Sequence, residues 1–266
     1  MSRRQRHLTL RPLPGAALQL DSRVLTEAVG SPVQTWPDRS GLARNPTQSN
    51  SAARATVAIG ESGQRCLSFD GARFYQIPSS TALFNGLHNG SPSLVFTAAR
   101  PATPAAPAPE AAYVMWGNNR TSSAQVGVTV FWDNRASASA SNTLRGSIAR
   151  GVNQFFAAVV AANNFWPGNS WRINRTAFDA DAAAADRLMF RNSGADAVGG
   201  NTATDPPTTS NASFDLFIGS AAADIPTIQF VGLMGSIIMF TNHSLSSSMQ
   251  RRIDHALAAA FKITCA

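Results

Sequence analysis

Four consecutive pieces near the C-terminus decide the fold class: FDLFIGS (214–220), FVGLMGSIIMF (230–240), TNHSLSS (241–247) and SMQRRIDHALAAAFKI (248–263). Phe214, Leu216 and Ile218 alternate with the period of a strand that turns one face inward. Phe230, Leu233 and the run Ile237–Phe240 predict two more core strands, broken near Gly232 and Gly235. Ser246 reads as a helix N-cap. Met249, Ile253, Leu257 and Phe261 then recur every four residues, which is one apolar stripe on a single amphipathic helix. Arg251, Arg252 and Asp254 fall off that stripe, so the basic pair is either a solvated face or a binding surface.

Working outward, nearly everything upstream of this cassette reads as strands and loops. Ala17–Asp21 is the first strand, and TVAI (56–59) another. RCLSFDGARFYQIP (65–78) predicts two short strands hinged at Asp70-Gly71, a dipeptide of tight hairpins, with Leu67, Phe69, Phe74 and Ile77 on the buried face. SLVFTAA (93–99) is a central strand. The four-proline segment 101–110 then reads as a stiff loop within one sheet, because strand patterning resumes at AYVMWG (112–117) and QVGVTVFW (125–132). Further strands are expected at 144–148, at 154–162 (fully buried) and at 169–178, where Trp171 and Ile173 alternate with Arg172 and Asn174 above one wet face. Residues 195–213 read as a long exposed loop. In VQTWPDRSGLARNPTQ (33–48), Pro37, Asp38, Ser40 and Gly41 suit an Asx-type turn, and Trp36 either plugs the core or stacks on a ligand.

Bulk composition narrows the function. Of 266 residues 44% are hydrophobic, enough for a large core, and only 14% are charged. The net charge is +7, yet Arg3, Arg4, Arg6 and Arg11 place four of those charges in the first fifteen residues, which contain no acid. The body is therefore only mildly basic, and no specific nucleic-acid partner is expected. Pro12, Pro14 and Gly15 mark this arm (residues 1–15) off from a single domain (16–266). The arm is either a solvated tail or a segment that anchors the chain to a partner. It has no apolar core, so it is no signal peptide, and no run long enough to span a membrane exists. Synthesis in a cytoplasm, without general secretory export and without a membrane partner, is the expectation. Cys66 and Cys265 are the two cysteines; a pair between them and two free thiols are the alternatives.

The order of motifs resembles the laminin-G-like, concanavalin A-like jelly-roll domains of bacterial surface and bacteriophage virion proteins. The pieces that carry the resemblance are LQLDSRVL, TWPDRSG with NPTQ, LSFDGARFYQI, SLVFTAARP and the closing cassette; residues 101–213 match only as strands and loops. The resemblance implies an all-β fold, a two-sheet antiparallel sandwich with one C-terminal amphipathic helix. It also implies rim loops that bind glycans or calcium in some relatives, and a basic arm that emerges beside the helix.

Catalytic groups are not evident. Glucanase relatives of this fold carry paired carboxylates on one strand, whereas Glu27, Glu61 and Glu110 have no acid two to four residues away. Asp179 and Asp181 sit in DADAAAAD, which reads as a solvated loop or a weak calcium site. The four histidines lack metal-ligand spacing, so no cofactor other than calcium is considered. The sequence thus favours a non-catalytic, multi-copy virion component, held to other virion structural proteins by its arm. The alternative is a carbohydrate-binding module that contacts cell-surface glycans through Trp36, Tyr75, Trp116, Trp132 and Trp166, because aromatic faces stack on sugar rings. An unrecognised glycoside hydrolase is the third reading.

Overall fold

The computed structural model describes residues 10–61, 63–102, 112–119, 125–133, 143–151, 155–159, 166, 168–178, 188–192, 195–199, 208–221 and 229–263. Its strands, in chain order, are β1 (Leu18–Asp21), β2 (Thr56–Ile59), β3 (Arg65–Asp70), β4 (Tyr75–Ile77), β5 (Ser93–Pro101), β6 (Ala112–Gly117) and β7 (Val126–Asp133). They continue with β8 (Thr143–Arg150), β9 (Phe155–Val159), β10 (Arg172–Phe178), β11 (Leu188–Asn192), β12 (Ala195–Gly199), β13 (Leu216–Ile218) and β14 (Val231–Phe240), and the helix α1 (Ser247–Phe261) follows. One sheet runs β12-β11-β10-β5-β14-β3-β2, with β1 also on β14; the other runs β4-β13-β6-β7-β8-β9. Every pair of the described strands is antiparallel. The two-sheet sandwich with one C-terminal helix stands as expected.

Period-two alternation sorts the side chains into two cores. Leu20, Leu67, Val95, Met234 and Met239 meet Met115, Val130, Trp132, Leu144 and Ile218 between the sheets. On the outer face of the larger sheet, Leu94, Phe96, Ile173, Ile238 and Phe240 pack against Ile253, Leu257 and Phe261 of α1. Ser246 caps this helix, its hydroxyl accepting from Met249 N at 3.3 Å. The strip Met249-Ile253-Leu257-Phe261 faces the sheet as its spacing requires, with Met249 only partly covered.

Several expected details change. Residues 231–240 form one ten-residue strand, not two; Gly235 marks a bulge between Met234 and Ser236. On either side of it β14 pairs first with β3 and then with β1 along the same edge. Asp70-Gly71 does not close a hairpin. Asp70 accepts from Ala72 N at 3.1 Å in a local turn, and the chain crosses to the other sheet, where β4 pairs β13. The proline-rich segment likewise joins strands of different sheets, β5 and β6. The wet face expected on β10 is largely lost: Asn174 and Thr176 are fully buried, while Arg172 keeps partial exposure. Residues 195–199 form a strand on β11 rather than loop. The Asx turn does form, with Asp38 accepting from Ser40 N at 2.9 Å and Gly41 at φ +89°.

Ordering reaches back past the expected boundary at residue 15. Leu10 and Leu13 pack against the helix-side core, and the buried Gln19 amide holds Leu13 N and Arg11 O at 2.8 and 2.9 Å. Residues 10–13 thus share the helix-side core with α1, and Gly15 lies against His243 just ahead of that helix. No helix among the described residues is long and apolar enough to cross a membrane.

Candidate functional site

The five aromatic residues expected to stack on sugar lie inside the sandwich. Trp36, Tyr75, Trp116, Trp132 and Trp166 are each 0% exposed. Burial of a large ring is the stronger physical demand on such residues, and three of them use their polar tips internally. The Tyr75 hydroxyl donates to Val33 O at 2.9 Å, Trp132 Nε1 to Trp166 O at 2.8 Å, and Trp166 Nε1 to Ser170 O at 3.2 Å. None presents a ring face to solvent, so the expectation is corrected for all five. Arg11 is exposed. Arg3, Arg4 and Arg6, the calcium candidates Asp179 and Asp181, and Cys265 lie outside the described residues. Cys66 is a buried free thiol. No group of three or more His, Cys, Asp or Glu side chains gathers among the described residues to hold a metal.

The remaining tryptophan is placed differently. Trp171 precedes β10 and shares the parity of Ile173, so it faces the helix side of the sheet. It is only half-buried and stacks on Phe261, with centroids 5.1 Å apart and planes 16° from parallel. Phe261 reaches that position because Gly235 lies beneath it; a Cβ there would run into the Phe261 ring. On its other approach Phe261 meets the Arg23 guanidinium at 5.5 Å, which the fully buried Asp21 holds at 2.7 Å. A sequence-specific backbone device thus fixes the platform under Trp171.

Beside this stack is a cleft of about 610 Å³, in the range of small-molecule sites. Trp171, Arg172, Glu61 and Lys262 line it, together with Phe261 and Ile263 and the Asn169-Ser170 turn. Asn169 adopts a left-handed φ of 61°, which asparagine tolerates. Its N–H donates to Pro101 O at 2.7 Å, and its carbonyl accepts from Arg100 Nε at 3.0 Å. Arg100 in turn pairs with Glu61 at 3.1 Å, so turn, strand end and acid are tied together. Lys262 closes the helix in the left-handed conformation (φ 50°), with Ile263 N returning to Ala258 O at 2.9 Å. An aromatic face with several polar groups around it is the arrangement that orients an amphipathic ring such as a sugar.

A second cleft of about 460 Å³ lies between Leu42, Arg44, Ile77, Pro78, Ser79 and Leu83. Its one charge is committed to the fold. Arg44 donates to Ala17 O at 2.9 Å and lies over Phe84 at 5.4 Å, and burial lowers its pKa against the pull of Asp38. This cleft offers apolar walls and no aromatic platform. The Trp171 cleft is the candidate site.

Three solved structures place the fold. Domain 4 of AbnA, a GH43 extracellular arabinanase from Geobacillus stearothermophilus solved with arabinotriose, is 12% identical with a TM-score of 0.54, over 90% of this chain and 98% of that one. A Trypanosoma rangeli sialidase is 14% identical (TM-score 0.55), and the match covers 95% of this chain but 34% of the enzyme. The receptor-binding domain of a botulinum neurotoxin mosaic, serotype C/D, is 9% identical (TM-score 0.55), over 91% of this chain and 50% of that one. No protein-family model and no curated protein matches the sequence. None of these three structures is a virion component. At such identities the likeness establishes the fold alone: this chain is a two-sheet antiparallel β-sandwich with one C-terminal helix, similar in fold to these three structures.

Proposed function

We propose that the protein is a lectin-like module that binds a saccharide in the Trp171 cleft and does not cleave it. The half-buried indole, set flat on Phe261 and ringed by Arg172, Lys262, Glu61 and Asn169, is the observation that carries this reading. The likeness to a whole arabinanase domain solved with arabinotriose supports it. The virion reading has no comparable support, and the carbohydrate-binding alternative is preferred to it.

The test is a glycan array probed with the full chain and with Trp171→Met. Methionine keeps apolar contact with Phe261 but removes the flat ring. The wild type should bind a defined glycan set, and the variant should bind it about five- to tenfold more weakly, the worth of one aromatic contact. Binding unchanged by Trp171→Met would contradict the assignment of the cleft. Release of reducing ends from a bound glycan would contradict the non-catalytic part.

A further inference from the structure

We infer that the ligand of this cleft is an acidic glycan, a uronate-containing oligosaccharide, an inference that rests on the saccharide-binding reading above. Among the described residues, the buried side-chain atoms of the cleft that lack a hydrogen-bond partner are donors. Trp171 Nε1 and Arg172 Nε are buried N–H groups with no acceptor among the described residues, and among the same residues the exposed Lys262 has no ion-pair partner. Glu61, the one carboxylate among the described residues that line the cleft, is already paired with Arg100. Indole, guanidinium and ammonium groups donate and do not accept. A neutral sugar's hydroxyls both donate and accept, so such a lining uses half of their capacity. A carboxylate supplies acceptors alone, and its charge strengthens each bond.

An independent observation extends the same chemistry along α1. Arg251, Arg252 and His255 are exposed and share the outward face of the helix with Lys262. At 1.5 Å per residue the track from Lys262 back to Arg251 is about 16 Å long. No carboxylate lies on that face, because the one acid of the helix, Asp254, turns inward to the buried Arg175 at 3.5 Å. A basic track therefore leads away from the cleft, suited to the carboxylates of successive sugars when one ring sits on Trp171. The rest of the fold is only mildly basic, unlike a nucleic-acid-binding surface.

The experiment is calorimetric titration of the full chain with three probes: hexagalacturonate, its methyl-esterified form, and single-stranded DNA of equal charge. Removing charge-assisted bonds costs about tenfold or more in affinity. The acid should therefore bind at least tenfold more tightly than the ester, with the gap closing at high salt. Arg172→Gln should narrow that gap, and so should the doubly exposed variant Arg251→Gln/Arg252→Gln, whose positions are outside the core. Equal affinity for acid and ester overturns the inference while leaving saccharide binding intact. So does binding of neither form while neutral glycans bind on the array. DNA bound as tightly as the uronate overturns it too, and binding to no glycan at all removes this inference and the proposed function together.

Discussion

Gly235 and Asp21 act on the same side chain from opposite directions. Gly235 leaves room for the Phe261 ring, and Asp21, 0% exposed, holds the Arg23 guanidinium that lies over it. Asp21→Asn would leave Arg23 buried without its charge partner, a loss of about 3–5 kcal/mol of stability measurable by urea titration. A change below about 1 kcal/mol would show that the pair contributes little. Cys66 makes a separate prediction. Burial pushes its thiol up to about 12, against a small lowering by Arg100, whereas an unfolded thiol titrates near ~8.5. Within that window the unfolded state has lost a proton that the folded state keeps, so folding stability falls as pH rises. Below about pH 8.5 the contribution is fully present. Burial raises Tyr75 in the same sense. Urea midpoints should therefore decline from about pH 9 towards 12, less steeply in Cys66→Ala; midpoints that stay flat across that range would contradict the burial of both groups.

At the scale of elements, α1 is held by one apolar strip and one cap. Leu257→Ala should cost about 2–5 kcal/mol, as expected of a fully buried leucine. Ser246→Ala should cost about 1 kcal/mol by leaving Met249 N without its acceptor. Thermal unfolding of both variants checks the ranking; a cap effect larger than the core effect would overturn it. Both features were legible beforehand, because a four-residue apolar period and a serine before it are local signals. The strands were legible for the same reason, and β2 and β6 fall on the residues their patterning indicates. Sheet membership was not. Whether Asp70-Gly71 folds the chain back or sends it across the sandwich depends on what β3 and β4 find to pair with, β14 and β13, both more than 100 residues away. Gly235 was similarly ambiguous. A glycine in a strand run reads as a break, and only the approach of Phe261 explains why the strand continues through it.

For the whole molecule, the sandwich followed from many weak local patterns that agree with one another, and the site did not follow at all. Aromatic identity pointed to Trp36, Tyr75, Trp116, Trp132 and Trp166, but a ring's availability depends on what lies over it, and all five are covered. Trp171 shares the parity of a core residue, which correctly gives its face and conceals that it sits beyond the end of β10, where the helix runs out. Its place beside an asparagine-serine turn was the one signal that could have marked it. The central claim is that this indole, unlike the four buried ones, contacts ligand. A ¹H–¹⁵N correlation spectrum resolves the five tryptophan side-chain N–H groups separately, and Trp171→Met assigns the one in question. On titration with a glycan selected from the array, the Trp171 signal should shift progressively while those of Trp36, Trp116, Trp132 and Trp166 stay in place. A saturating titration that leaves Trp171 unmoved would contradict the account.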